Sequence, residues 1–443
     1  MNNPEENGRT DSLASGCEPF DPQTDDFVTK NRKYTHFDYR LTDSQRKSVS
    51  LENVNLSKHQ FWPLIAFGIP RRKRIYDEQG NFAGYKNKPR PIKFGSHLDA
   101  AILELYGKRL GELYENFISS MPINDRILAY RKNTGDNIRM AKSLFDEISK
   151  TGNCTAIALD VSGFFDNIMH DELKESLKLL FDGRHLPDDD YYIFKNIARF
   201  SYVESSELRE RLKNVSRPAG RLCFPKDFRQ YAREQKPSIV YTNKNEYGIP
   251  QGTPISGLYA NISMLRADEK IDAFCRSIGA SYRRYSDDIA IILPSVLDEA
   301  NVIDSVSNIL STIGLKINDS KTDISHFVKC TELISDQPFQ YLGFIFDGKS
   351  VRIRQSSIHN YYRKMRKGIR AKVHAAKAQS IPSDQIYMRQ LLKRYTHLGQ
   401  GRNFTRYAYR AAEIFSSDDI RRQLAPHMKH FKKFKKIAIE EIY

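Results

Sequence analysis

The aspartates constrain this chain more than any other feature. ASYRRYSDDIAIILP (280–294) reads as a hairpin, two β-rich arms meeting at a tight turn that carries Asp287 and Asp288. CTAIALD (154–160) is a β-branched, apolar run that ends on Asp160. A carboxylate in such a place is costly unless it is paired, hydrogen-bonded or holding a cation. Taken singly, each aspartate is an ordinary turn or strand-end residue. Brought together on neighbouring strands, they make an oxygen-only site suited to a hard divalent cation such as Mg²⁺, with water and substrate phosphates filling the remaining positions. Two such ions about 3.5–4 Å apart can clamp the attacking and leaving oxygens of an in-line phosphoryl displacement.

Charge supplies the second constraint. The net charge of the 443 residues is +16, and all of the excess lies at one end. From Arg352 to Tyr443 there are 22 Lys+Arg and 6 Asp+Glu, whereas the first 351 residues hold 48 of each sign. The basic block interleaves cations with aromatics, as in NYYRKMRKGIRAK (360–372), RNFTRYAYR (402–410) and HFKKFKK (430–436). Lys and Arg on helices can follow a phosphate backbone, and Tyr or Phe can stack on bases or face the helix-bundle core. A polyanionic partner is expected here, with some of the aromatics turned inward.

No apolar run approaches the roughly 18–20 residues that span a bilayer, so no membrane span is expected. The first residues, MNNPEENGRTDSLASG, have neither the basic nor the apolar region of a secretory signal. Cys17, Cys154, Cys223, Cys275 and Cys330 are scattered without CxxC pairing. That argues against a disulfide framework or a structural zinc and fits a reducing cytoplasm. Residues 1–30 read as a mobile or loosely packed polar arm, 71–94 as a basic hairpin, 99–117 and 137–149 as helices, and 170–181 as an amphipathic helix. The run 246–279 goes from a Gly/Pro loop into a long helix, 339–354 reads as a hairpin around Asp347-Gly348-Lys349, and 182–245 is a polar insert of loose placement.

The motifs follow one another in a telling order. Asp160 and Asp166 flank Phe164–Phe165; then come GIPQGTPISGLYAN (248–261), Tyr285-Ser286-Asp287-Asp288, GLKINDSKT (314–322) and YLGF (341–344). In this arrangement the chain resembles the reverse transcriptases. The resemblance covers roughly residues 60–350 and includes KPRPIKFGSHLDAAILELYGKRLGELYE (88–115) and AYR (129–131). It implies an α+β right-hand polymerase fold: a polar arm over 1–45, fingers over 46–150, a palm with an antiparallel sheet over 151–350 holding the insert 182–245, and a basic helical thumb and extension over 351–443.

The roles that the resemblance implies attach to particular residues. Asp160, Asp287 and Asp288 match the catalytic metal ligands, joined by the carbonyl of Val161, for two Mg²⁺ ions, with Mn²⁺ as a substitute. Phe165 matches a steric gate that excludes a ribose 2′-OH. Gln251 and Gly252 lie beside the incoming nucleotide, Arg90 pairs with its triphosphate, and Lys321 stands near the leaving pyrophosphate as a general acid. Asp166 is expected to be structural. Ser286 replaces the Ala or Met familiar in the family, and Gly257 stands where many members have a second proline. The Val-Thr-Gly signature of retron enzymes is not visible in the thumb region, and nothing after 350 supports an HNH, zinc or RNase H domain. The pattern is most similar to bacterial defence-associated (unknown-group) enzymes that act with a dedicated non-coding RNA. The expected partners are an RNA template, dNTPs and a DNA product; oligomeric state is left open. Alternatives at this point are a template-independent or protein-primed DNA polymerase, and a catalytically silent RNA-binding scaffold.

Overall fold

The computed structural model describes residues 28–443 apart from 52–53, 71, 78, 80, 88, 133, 182, 214–218, 235–237, 295–297, 400 and 402. The first 27 residues of the polar arm, Cys17 among them, lie outside the described residues. The strands are β1 (Leu64–Ile69), β2 (Arg72–Tyr76), β3 (Phe82–Asn87), β4 (Arg90–Phe94), β5 (Cys154–Asp160), β6 (Ser201–Glu204), β7 (Tyr241–Thr242), β8 (Ser281–Tyr285) and β9 (Asp288–Pro294). They continue with β10 (Asp323–Lys329), β11 (Leu333–Ser335), β12 (Phe339–Tyr341), β13 (Phe344–Phe346) and β14 (Val351–Ile353).

The centre of the molecule is the antiparallel sheet β11-β10-β5-β9-β8. Its inner strands are apolar on both faces because both faces are covered. On one face, Ile157, Leu159, Ile289, Ile291 and Leu293 join a core with helix His97–Ser119 and helices Ser256–Ser263 and Leu265–Ser277. On the other, Cys154, Ala156, Ala290 and Ile292 pack with helix Asn137–Thr151, strands β12 to β14 and helix Phe404–Ile414. The alternation follows the two-residue period of a strand. Helix His97–Ser119 buries Ile102, Tyr106, Leu110, Tyr114 and Ile118, one residue per turn. Asp38 of the preceding segment accepts the N–H groups of His97 and Leu98, each at 3.0 Å, and so places a carboxylate at the positive end of that helix.

The region expected as a basic hairpin divides in two: β2 pairs with β3, while β4 returns to pair with β1. The insert is less separate than its composition suggests. β6 joins β1 in parallel and β7 joins β6, giving a sheet β4-β1-β6-β7. Phe37 is fully buried against Phe228 and Trp62, at ring separations of 4.1 and 5.5 Å. The long helix expected after the Gly/Pro loop is broken at Met264 into Ser256–Ser263 and Leu265–Ser277. Asn261, just before the break, turns its amide to the Ala129 carbonyl at 2.6 Å. The stretch 339–354 is three strands rather than two, because Leu342 (φ 45°) and Gly343 (φ 89°) make a further tight turn between β12 and β13.

The basic C-terminal region is helical. Tyr361, Met365, Ile369, Val373 and Ala376 of helix Gln355–Ala378 pack on Phe431, Ala438 and Ile442 of helix His427–Ile442. Arg363, Lys364, Arg366, Lys367, Arg370 and Lys372 stay exposed. This bundle is tied to the sheet layer by Asn137, which donates to the Tyr407 hydroxyl at 2.8 Å, and by an Arg410–Asp136 ion pair. Among the described residues, no helix is long and apolar enough to cross a membrane.

Candidate active site

Strand register brings the predicted carboxylates together. Asp160 is the cross-strand partner of Asp288, and Tyr285 pairs with Asp288 across the two-residue turn Ser286–Asp287. Directly opposed residues share a face. Asp160 and Asp288 therefore follow the parity of Ala156, Ala158, Ala290 and Ile292, toward the β12–β14 strands and the helical bundle. The Val161 N–H donates to the Asp287 carbonyl at 3.0 Å, which fixes the turn against the end of β5. The turn needs Ser286 in the left-handed region (φ 60°), a conformation a non-glycine residue holds only when its surroundings impose it.

The surroundings are a buried polar network. Arg284 and Asp268, both with fully buried side chains, form a forked ion pair through Nε at 2.8 Å and Nη2 at 2.6 Å. Tyr282 donates to the same carboxylate at 2.5 Å. The remaining arm of the guanidinium, Nη1, donates to the Ser286 carbonyl at 3.0 Å and to Asn261 Oδ1 at 3.2 Å. The turn is thus held from beneath. Sequence reasoning missed these supports; the signal was Arg284 itself, a cation at an inward position two residues before the turn.

Lys321 lies with the carboxylates. Its Nζ is 2.6 Å from both Asp160 oxygens, and the loop that carries it is anchored by the Asn318 N–H on the Asp160 carbonyl at 2.8 Å. Asp288 reaches solvent at the edge, yet its carboxyl is pushed up to about 7. Burial against the protein around it is the largest cause, followed by the carboxylates of Asp287 and Asp160, while Lys321 and Arg354 pull the other way. Such mutual repulsion is what a divalent cation relieves. Among the described residues, no three His, Cys, Asp or Glu side chains close into a metal cage. An open carboxylate edge fits Mg²⁺, which keeps several waters and takes substrate phosphates as ligands.

The residues expected beside the nucleotide are tied to neighbouring segments through the backbone. Phe165 is half-buried in the short helix Phe164–Asn167, and its carbonyl accepts the Ile249 N–H at 2.8 Å. The Gln251 carbonyl accepts the Lys93 N–H at 2.7 Å, joining the Pro250-Gln251-Gly252 loop to β4. Gly252 needs to be glycine: its φ is 115°, and a Cβ there would stand 2.7 Å from the Lys93 carbonyl oxygen. Arg90 is exposed at the first position of β4, opposite Ile69, in the sheet β4-β1-β6-β7 and not in the sheet that pairs Asp160 with Asp288. Lys93, which the sequence reading passed over, is half-buried above the Phe200 and Tyr202 rings at 5.1 and 5.3 Å. Burial lowers its pKa, against the pull of Asp166 and Glu204.

A sequence match covers 77 residues of the retron Ec86 reverse transcriptase of Escherichia coli at 35% identity, 17% of this chain and 24% of that protein, so the chain spans about a quarter of that relative's length. Similar solved structures include apo telomerase from Candida tropicalis truncated from its C-terminal domain (13% identity, TM-score 0.39, 65% of this chain and 55% of that one). Another is telomerase from Candida albicans with a fragment of telomeric RNA (12% identity, TM-score 0.37, 85% and 66%). The family description "Reverse transcriptase (RNA-dependent DNA polymerase)" matches residues 83–346, more than half of the chain, from β3 through the paired aspartates to β13. With its aspartate-bearing hairpin set against β5, the chain belongs to the reverse transcriptase family.

Proposed function

We propose that the chain is an RNA-directed DNA polymerase that adds deoxynucleotides to a primer on an RNA template. The observation that carries this reading is the register pairing of Asp160 with Asp288 beside the Asp287 turn. Asp160, Asp287, Asp288 and the Val161 carbonyl would hold two Mg²⁺ ions, with Mn²⁺ as a substitute. Bound there, the ions supply charge stabilisation for the attacking 3′-oxygen and the departing pyrophosphate. Lys321 stands at the same edge and would act as general acid to the leaving group. Phe165 bars a ribose 2′-OH, Gln251 and Gly252 let backbone approach the nucleotide, and Arg90 offers a guanidinium fork to the triphosphate.

A dedicated non-coding RNA as template and a role in bacterial antiphage defence rest on the resemblance of the 88–115 block. A cytoplasmic setting rests on cysteines that are free thiols at Cys154, Cys223, Cys275 and Cys330. The test uses the purified protein with its co-purifying nucleic acid, supplied with labelled dNTPs or NTPs, followed by sequencing of both strands. Incorporation of dNTPs complementary to RNA is expected; preferential NTP use or untemplated product would overturn the reading. Phe165→Ala should raise relative ribonucleotide incorporation by about 10–100-fold, and an unchanged dNTP/NTP ratio would remove Phe165 from the gate.

RNA binding by helix Gln355–Ala378 is supported by its exposed cations, since cations along a helix can follow a phosphate backbone. RNA affinity should fall steeply with salt, by about 10³–10⁵ between 50 and 200 mM if six to ten phosphates are contacted. A flat affinity over that range would sink this assignment.

A further inference from the structure

Tyr130 has no part in the chemistry just described, yet it is built into the turn that presents the carboxylates. Its hydroxyl lies 3.1 Å from Ser286 Oγ. Its backbone is in the left-handed region at φ 58°, as is that of Ser286 at φ 60°. Its ring lies across Gly257, where a Cβ would come within 2.6–2.9 Å of ring carbons. Gly257 and Ser286, two positions where the sequence departs from the family pattern, both meet Tyr130.

The segment bearing Tyr130 is itself stitched to β8. The Arg284 N–H donates to the Arg126 carbonyl at 2.8 Å, and the Leu128 N–H donates to the Arg284 carbonyl at 2.9 Å. Asn261 holds the Ala129 carbonyl at 2.6 Å, and Thr134 donates to the Leu128 carbonyl at 2.9 Å. Arg131 is clamped to Glu115 at 2.8 Å and to the Ile127 carbonyl at 3.1 Å. The hydroxyl of Tyr130 is therefore delivered from a fixed frame. Ser286, only 4% exposed, shares a hydrogen bond with it through Oγ, while Arg284 donates to the Ser286 carbonyl.

We infer that Tyr130 is a positioning residue for Asp287 and Asp288, acting through the hydroxyl of Ser286, with Gly257 kept bare to admit its ring. The inference rests on the metal-site reading above. Arg284 fixes the turn backbone from below and Tyr130 fixes its side chain from beside, so the two left-handed residues hold each other in place.

The test is a Mn²⁺ titration of the full chain by electron paramagnetic resonance, with single-nucleotide incorporation measured alongside. Tyr130→Phe and Ser286→Ala should each weaken Mn²⁺ binding by about tenfold. The double variant should be no worse than either single one, because both remove the same bond. In incorporation, kcat should fall while KM for dNTP stays level. Gly257→Ala, which displaces the ring and leaves the hydroxyls intact, should weaken Mn²⁺ binding in the same direction. Variants that bind Mn²⁺ as the wild type does, or single effects that multiply in the double, would overturn the positioning role alone. A wild type with no Mn²⁺ site sensitive to Asp287→Ala/Asp288→Ala would overturn the metal-site reading and this role with it.

Discussion

Deoxynucleotide incorporation is expected to drop by at least about 10³-fold in Asp288→Asn and in Asp287→Ala, equivalent to ~4 kcal/mol of transition-state stabilisation. Asp288 starts β9 directly opposite the last residue of β5, so its carboxylate cannot be replaced by a neighbour without slipping the register and turning Ala290 and Ile292 out of the core. The same substitution has an opposite effect on stability. The Asp288 carboxyl is pushed up to about 7 by burial and by Asp287 and Asp160, so its ionised form is disfavoured in the folded chain. By proton linkage the penalty is fully present above pH about 7 and fades as pH falls through that value toward the ordinary carboxylate range. In EDTA, Asp288→Asn should therefore unfold at a higher temperature than the wild type at pH 8, with the gain shrinking at pH 5. An inactive protein that is more stable when metal-free would mark a functional site held against its own repulsion. Retained activity, or a gain that does not depend on pH, would refute the assignment.

The parts of the fold that could be read from the sequence are those where one chemical rule acts alone. The Asp287–Asp288 hairpin was legible because alternation and a two-residue turn specify register locally, and β5 because a short apolar run ending in a charge admits few alternatives. Lys321 is named by motif order alone, as a residue near the leaving pyrophosphate; its pairing with Asp160 is visible only in the structure. What stayed hidden depends on contacts distant in sequence. Nothing local to Ser201–Glu204 shows that it will join β1 in parallel, nor does LRADEKID announce that Asp268 will sit beneath Arg284. Phe37, in a stretch read as polar arm, is buried because Trp62 and Phe228 meet around it. The two-residue turn at Leu342–Gly343 was missed because a leucine is an unusual occupant of positive φ, and tertiary packing overrides that preference.

Asp268→Ala should produce the largest loss of stability among single substitutions at the site, about 3–5 kcal/mol, because it leaves a buried guanidinium without its counter-charge. Both side chains of the Arg284–Asp268 pair have no exposure, so water cannot take over from the lost carboxylate. The Lys349–Glu332 pair gives the comparison: its distance is 2.8 Å, yet its side chains are 70% and 61% exposed. Glu332→Ala should cost less than about 1 kcal/mol, and high salt should erase even that. Urea unfolding of the three proteins separates burial from proximity, since both ion pairs are short. Asp268→Ala should also slow incorporation, because a displaced Arg284 no longer holds the Ser286 carbonyl. The double change Asp268→Leu/Arg284→Met tests the cause: removing both charges should recover much of the lost stability, since the penalty belongs to the orphaned cation rather than to the missing bond. Activity should not return with it, as methionine has no donor for the turn. If the double variant regained both, the network would be a packing feature and the turn would be held by Tyr130 and the Val161 N–H alone.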